Sequence, residues 1–139
     1  MKKYFFLLVF VALFFGCSPD KVSNKNPYLP NYTFTIDINM NLPAYSDLKY
    51  VSNAIYYPNQ GAGRGLFVFN TGSGYVAFDA ACPNQALASC STMTIKGINL
   101  LCPCDNEEYS LFSGQSVGKQ YPLKQYRVEV NGSLLRVFN

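Results

Sequence analysis

Four cysteines constrain this chain more than any other feature. Cys82, Cys90, Cys102 and Cys104 follow the pattern C-x7-C-x11-C-x-C, and the fold must either bring them to partners or leave reactive thiols. Four cysteines allow three pairings. A bridge from Cys102 to Cys104 would close a very tight ring across Pro103, so disulfides here join the 82–90 stretch to the Cys102-Pro103-Cys104 turn, with two pairings left open. Each bridge contributes roughly 3 kcal/mol in the chain-entropy picture. As an all-cysteine zinc or iron-sulfur site, the pattern lacks the paired C-x2-C knuckles common to zinc sites. A redox-active dithiol at Cys102 and Cys104 needs a depressed thiol pKa. No cation adjoins either residue in sequence, and Asp105, Glu107 and Glu108 oppose thiolate formation.

The oxidation state of these thiols depends on compartment, and the N-terminus speaks to that. MKKYFFLLVFVALFFGC combines two lysines, an apolar run over 4–15, then Gly16-Cys17. Residues 1–16 have the layout of a secretory signal peptide. The run is too short to span a bilayer as a helix. Gly16-Cys17 resembles the end of a bacterial lipobox, which implies lipidation of Cys17 and a membrane-anchored lipoprotein, periplasmic or on the outer-membrane surface. Residues 17–31 follow as a polar tether without periodicity. Export makes two disulfides the expected state of the other four cysteines.

A chain of 139 residues with 49% hydrophobic content is long enough for one domain with a core and too short for two. That domain is expected over 32–139. Tyr and Phe, eleven of each, together with plentiful turn-forming residues, point to an all-β protein. In YTFTIDINM, Tyr32, Phe34, Ile36, Ile38 and Met40 face one way and polar residues the other, which predicts a half-buried strand. Residues 47–55 read as a short helical turn or an edge strand. LFVFN and YVAFDA flank Thr71-Gly72-Ser73-Gly74, a hairpin with a loop of about four residues. TMTIKG, INLLC and EYSLFSG add short strands. QYRVEV and SLLRVFN flank Asn131-Gly132, a two-residue hairpin signal because both residues tolerate positive φ.

Several function classes fall away. The formal charge of +3 drops to about +1 once Lys2 and Lys3 are removed with the signal, which leaves no basic footprint for nucleic acid. Histidine is absent, so there is no Ser-His or Cys-His nucleophile pair and no histidine metal site. Gly61, Gly63 and Gly65 run into the β-rich LFVFN rather than a helix, against a phosphate loop and for a flexible lead-in to a strand. Asp79, Asp105, Glu107 and Glu108 read as solvated acids rather than a glycosidase pair. Tyr56-Tyr57, Phe67 and Phe69 read as core.

One resemblance covers roughly 66–138. YVAFDAACPN followed by LCPCDNEEYSLFSGQSVGKQYPLKQYRVEVNGSLLRV is similar to the Rieske iron-sulfur domain. Cys82-Pro83-Asn84 matches that family's Cys-x-His loop and Cys102-Pro103-Cys104-Asp105 its Cys-x-x-His loop, with seventeen residues between Asn84 and Cys102. Phe112-Ser113-Gly114 and YPLKQYRVEV resemble the turn and strand that follow. Exported lipoproteins of Bacteroidetes type share this layout. The resemblance implies a Rieske-like fold of small antiparallel sheets with a cysteine-bearing loop subdomain. Its departure is chemical, because both ligand histidines are replaced, by Asn84 and Asp105. A Rieske cluster takes two thiolates on one iron and two imidazoles on the other, and neither an amide nor a hard carboxylate replaces imidazole well. The resemblance places Cys90 and Cys104 where a bracing disulfide lies, and it leaves Cys82 and Cys102 close enough to oxidise to one another. The expectation is therefore no catalytic residue, no metal and no cofactor, in an accessory module bound to the membrane and to an unidentified protein partner. The alternative is an electron carrier retaining a [2Fe-2S] cluster on Cys82, Cys102, Asp105 and a further donor.

Overall fold

The computed structural model describes residues 25–61 and 63–139. Residues 1–16, expected to be a signal peptide, and Cys17, expected to be lipidated, lie outside the described residues. Among the described residues nine strands form two antiparallel sheets: β1 Thr35–Asn39, β2 Ala54–Tyr57, β3 Leu66–Asn70, β4 Tyr75–Asp79, β5 Thr94–Lys96, β6 Asn99–Leu101, β7 Glu108–Ser110, β8 Gln125–Asn131 and β9 Leu134–Phe138. The larger sheet runs β1-β9-β8-β4-β3-β2 and the smaller β5-β6-β7. A 3-10 segment, Pro43–Lys49, precedes β2, so the ambiguous 47–55 stretch contains both the end of a helical turn and the start of an edge strand. Among the described residues no helix is long and apolar enough to cross a membrane.

Strand β3 explains how two cores share one sheet. All five residues of LFVFN are buried, which accounts for a run without the polar alternation of a one-sided strand. Leu66 and Val68 join Ile38, Leu48, Ala77, Leu135 and Val137 in the first core. Phe67 and Phe69 point the other way and pack with Phe78, Met93, Leu100, Tyr109 and Leu111. Burying each such side chain contributes on the order of 1.5–3 kcal/mol, and the second core attaches the cysteine-bearing loops to the sheet.

Turn registers refine two expectations. Asn70 pairs with Tyr75, which leaves residues 71–74 as the four-residue loop read from the sequence. At the last hairpin Asn131 pairs with Leu134, so Gly132 and Ser133 form the tip, one residue later than expected. Gly132 takes φ 62° at the first central position, where a II′ turn places glycine. The alternation in YTFTIDINM holds at Ile36, Ile38 and Met40, whereas Tyr32 is 58% exposed. The regular ladder ends at Thr35 opposite Phe138, and Asn139 then donates to the Phe34 and Tyr32 carbonyls.

Gly65 leads into β3 at φ 91°, and a Cβ there would stand 2.5 Å from the Tyr57 carbonyl oxygen and 2.7 Å from Tyr56 Cε2. Gly65→Ala is expected to cost about 2 kcal/mol or more, read as a lower urea midpoint with an unchanged slope. An unchanged midpoint would mean that this backbone approach is not required.

Candidate functional site

Three loops converge on the second core: 80–93 between β4 and β5, 102–107 between β6 and β7, and 111–124 between β7 and β8. The first is pinned at its base by Cys82 N–H to the Ser91 carbonyl and Met93 N–H to the Ala80 carbonyl, both 2.8 Å. In the second, Cys102 N–H donates to the Glu107 carbonyl at 2.8 Å and Asn106 N–H to the Cys102 carbonyl at 2.9 Å. Asn106 adopts φ 59° to close this turn, a conformation that asparagine tolerates better than most residues.

Two disulfides tie the loops together. Cys82 bonds to Cys102 and Cys90 to Cys104, with Cα separations of 5.6 and 5.2 Å. The first bridge is interior, its cysteines 1% and 0% exposed. The second lies outside it, with Cys90 exposed and Cys104 half-buried. The sulfurs of Cys82, Cys102 and Cys104 all lie within 4.8 Å of one another.

The two positions matching ligand histidines are both committed elsewhere. Asn84 Nδ2 donates to Tyr109 Oη at 2.9 Å and to the Tyr121 carbonyl at 2.7 Å, while Asn84 Oδ1 accepts from Tyr121 N–H at 2.9 Å. The amide thus staples the first loop to the third. Asp105 accepts from Lys119 Nζ at 2.9 Å, and Lys119 also reaches Glu107 at 3.6 Å. The hydrogen bond that Lys119 donates to Asp105 raises the Lys119 pKa above its ordinary value, with both carboxylate charges adding to it.

The remaining carboxylates do not assemble as a catalytic pair. Glu108 is held by Lys96 and by Asn99 Nδ2, whereas Asp79, expected to be solvated, is buried, because Tyr126 Oη and Ala81 N–H donate to its carboxylate inside the fold. Gly61 lies beside this carboxylate, a Cβ on it falling 2.4 Å from Asp79 Oδ2, and Gly65 leads into β3. Of the aromatic stripes, Phe67 and Phe69 are core, whereas Tyr56 is 43% exposed beside a cleft of about 360 Å³ that Phe67, Met93 and Ile95 also line.

Several participants carry no sequence signal. Gln85 Nε2 approaches Cys102 Sγ at 3.8 Å. Tyr109, fully buried, receives Asn84 through its hydroxyl. Residues from the tether stretch also dock here: Leu29 packs on Ala81, Asn26 Nδ2 donates to the Pro83 carbonyl at 2.7 Å, and buried Lys124 donates to the Pro30 carbonyl at 2.7 Å.

These residues do not fit a Rieske cluster. Such a cluster needs two separate thiolates and two imidazoles. Here the cysteines matching its thiolates are bonded to each other, the Asn84 amide has both ends engaged, and Asp105 is paired with Lys119. Nor does the four-sulfur set offer zinc a free thiolate while both bridges stand.

Neither a protein-family profile nor a curated protein matches the sequence. Solved structures do match. A chain of the complex of reduced oxygenase and oxidized ferredoxin in carbazole 1,9a-dioxygenase aligns at 22% identity and TM-score 0.52, covering 75% of this chain and 92% of that one. A putative NADH-dependent nitrite reductase small subunit from Mycobacterium tuberculosis aligns at 15% identity and TM-score 0.48, covering 78% and 97%. The Sphingomonas yanoikuyae B1 ferredoxin aligns at 18% identity and TM-score 0.47, covering 67% and 93%. The fold is all-β and Rieske-like.

Replacing Asn84 with alanine removes three hydrogen bonds and strands the buried Tyr109 hydroxyl. A loss of about 2–3 kcal/mol is expected, while Asp105→Ala, which breaks a partly exposed pair, should move the unfolding midpoint far less. Equal effects would contradict the stapling role.

Burial raises the phenol pKa of Tyr109, and burial with the Asp79 carboxylate raises that of Tyr126, both from the ordinary value of 10.0. The folded chain then keeps protons that the unfolded chain releases, so the stabilisation is full below about pH 10 and falls as pH rises above it. Spectrophotometric titration should show these two phenols ionising above pH 10, with folding stability falling over the same range. Smooth ionisation near pH 10 with the fold intact would contradict this.

Proposed function

We propose that this chain is an exported, membrane-anchored Rieske-like module that carries no conventional cluster and acts as a disulfide-stabilised binding or accessory protein rather than as an enzyme. The observation that carries this reading is the buried Cys82–Cys102 bridge, which consumes both sulfurs that a cluster would need. Asn84 and Asp105 support it, since each serves the loop framework through bonds unrelated to a metal. Anchoring rests on Gly16-Cys17 after a short apolar run, and the partners of this reading are the membrane and an unidentified protein.

The fold match to the oxygenase–ferredoxin complex favours a second reading. In it, the chain transfers electrons with a [2Fe-2S] cluster on Cys82, Cys102, Asp105 and one more donor, which requires the inner bridge to be open. Iron and acid-labile sulfide assays, with a visible spectrum, on protein purified from its native host separate the two. The first reading predicts a colourless protein without stoichiometric iron. About two irons per chain and visible absorbance would establish the second.

Lipidation has its own test. Cys17→Ser is expected to give an unprocessed precursor or soluble protein on cell fractionation. Processing and membrane retention identical to wild type would remove the anchor from this reading.

A further inference from the structure

We infer that the two disulfides form a relay, in which opening the outer Cys90–Cys104 bridge releases a thiolate that attacks the inner bridge and moves it from Cys82–Cys102 to Cys82–Cys104. Three features converge on this. Access is graded, because Cys90 is exposed and Cys104 half-buried, whereas Cys82 and Cys102 are sealed in the second core. An external thiolate therefore meets the outer bridge first. Proximity comes next, since Cys104 Sγ lies within 4.8 Å of both inner sulfurs.

Direction is set by the leaving group and by ring size. Attack on Cys102 would close the tight Cys102-Cys104 ring across Pro103, which disulfide geometry disfavours. Attack on Cys82 instead expels Cys102 as a thiolate, and Gln85 Nε2 stands 3.8 Å from that sulfur as a hydrogen-bond donor. A donor to the departing thiolate lowers its pKa and speeds its departure.

The chemistry balances with an external dithiol as the reductant. Its first thiolate attacks Cys90 Sγ, forming a mixed disulfide and releasing Cys104 as a thiolate. Cys104 Sγ then bonds to Cys82 Sγ as the Cys82–Cys102 bond breaks. The second thiolate of the dithiol closes on the first, freeing Cys90 and leaving the reductant as a disulfide. Two electrons enter the chain and one bridge remains, between Cys82 and Cys104, with Cys90 and Cys102 as thiols. The exchange requires only the two bridges and is independent of membrane attachment.

Cys90→Ser tests the relay directly, because the oxidised variant carries Cys104 as a thiol without any reductant. Acid quenching, alkylation and peptide mapping should find a substantial Cys82–Cys104 population with Cys102 alkylated. Adding Gln85→Leu should shift that population several-fold back toward Cys82–Cys102. A variant holding Cys82–Cys102 alone, with Cys104 alkylated, overturns the relay. Should Cys90→Ser not fold, wild-type full-length chain partially reduced with dithiothreitol decides the matter. A singly reduced species bridged Cys82–Cys104 supports the relay. One that keeps Cys82–Cys102 or Cys90–Cys104, or complete reduction with no Cys82–Cys104 species on the way, overturns it.

Discussion

The covalent bond between Cys82 and Cys102 holds together two loops that leave different sheets, one from the end of β4 and the other from β6. Both cysteines sit among Phe67, Phe78, Met93 and Leu100, so the bond is also part of a packed interior. Its loop-closure contribution of roughly 3 kcal/mol acts where backbone pairing is sparse, since the smaller sheet has only three-residue strands. The outer Cys90–Cys104 bridge extends the same connection, and the Asn84 amide carries it to the third loop at Tyr121.

Strand β3 makes this arrangement possible. Because LFVFN presents aliphatic side chains to one core and phenylalanines to the other, the loop subdomain rests on the back of the main sheet. Gly65 lets the chain enter that strand in tight contact with β2. The N-terminal segment closes the same region, with Leu29 on Ala81 and buried Lys124 satisfied by the Pro30 carbonyl. Without that carbonyl the Lys124 ammonium, whose pKa burial already lowers, would lack this acceptor.

Much of the fold was legible in the sequence because its signals are local. The period of YTFTIDINM, the four-residue turn at 71–74 and the cysteine spacing each depend on neighbours in sequence. The tip of the last hairpin moved by one residue because cross-strand pairing of Asn131 with Leu134, not turn propensity, sets the register. The site was less legible. Asn84 and Asp105 stood out as departures from a ligand pattern, but their new partners are distant: Tyr121 is 37 residues from Asn84 and Lys119 is 14 from Asp105. Gln85 gave no hint of its approach to Cys102, since only the closed loops bring an amide to that sulfur.

The proposed reading is of a Rieske-like fold in which a covalent bond joins the two sulfurs that a cluster would need. Disulfide mapping on unreduced protein from the native host tests this most directly. After alkylation without reductant, the account predicts Cys82 joined to Cys102, Cys90 joined to Cys104, and none of the four cysteines labelled. Recovery of Cys82 and Cys102 as alkylated thiols in the native protein would contradict it.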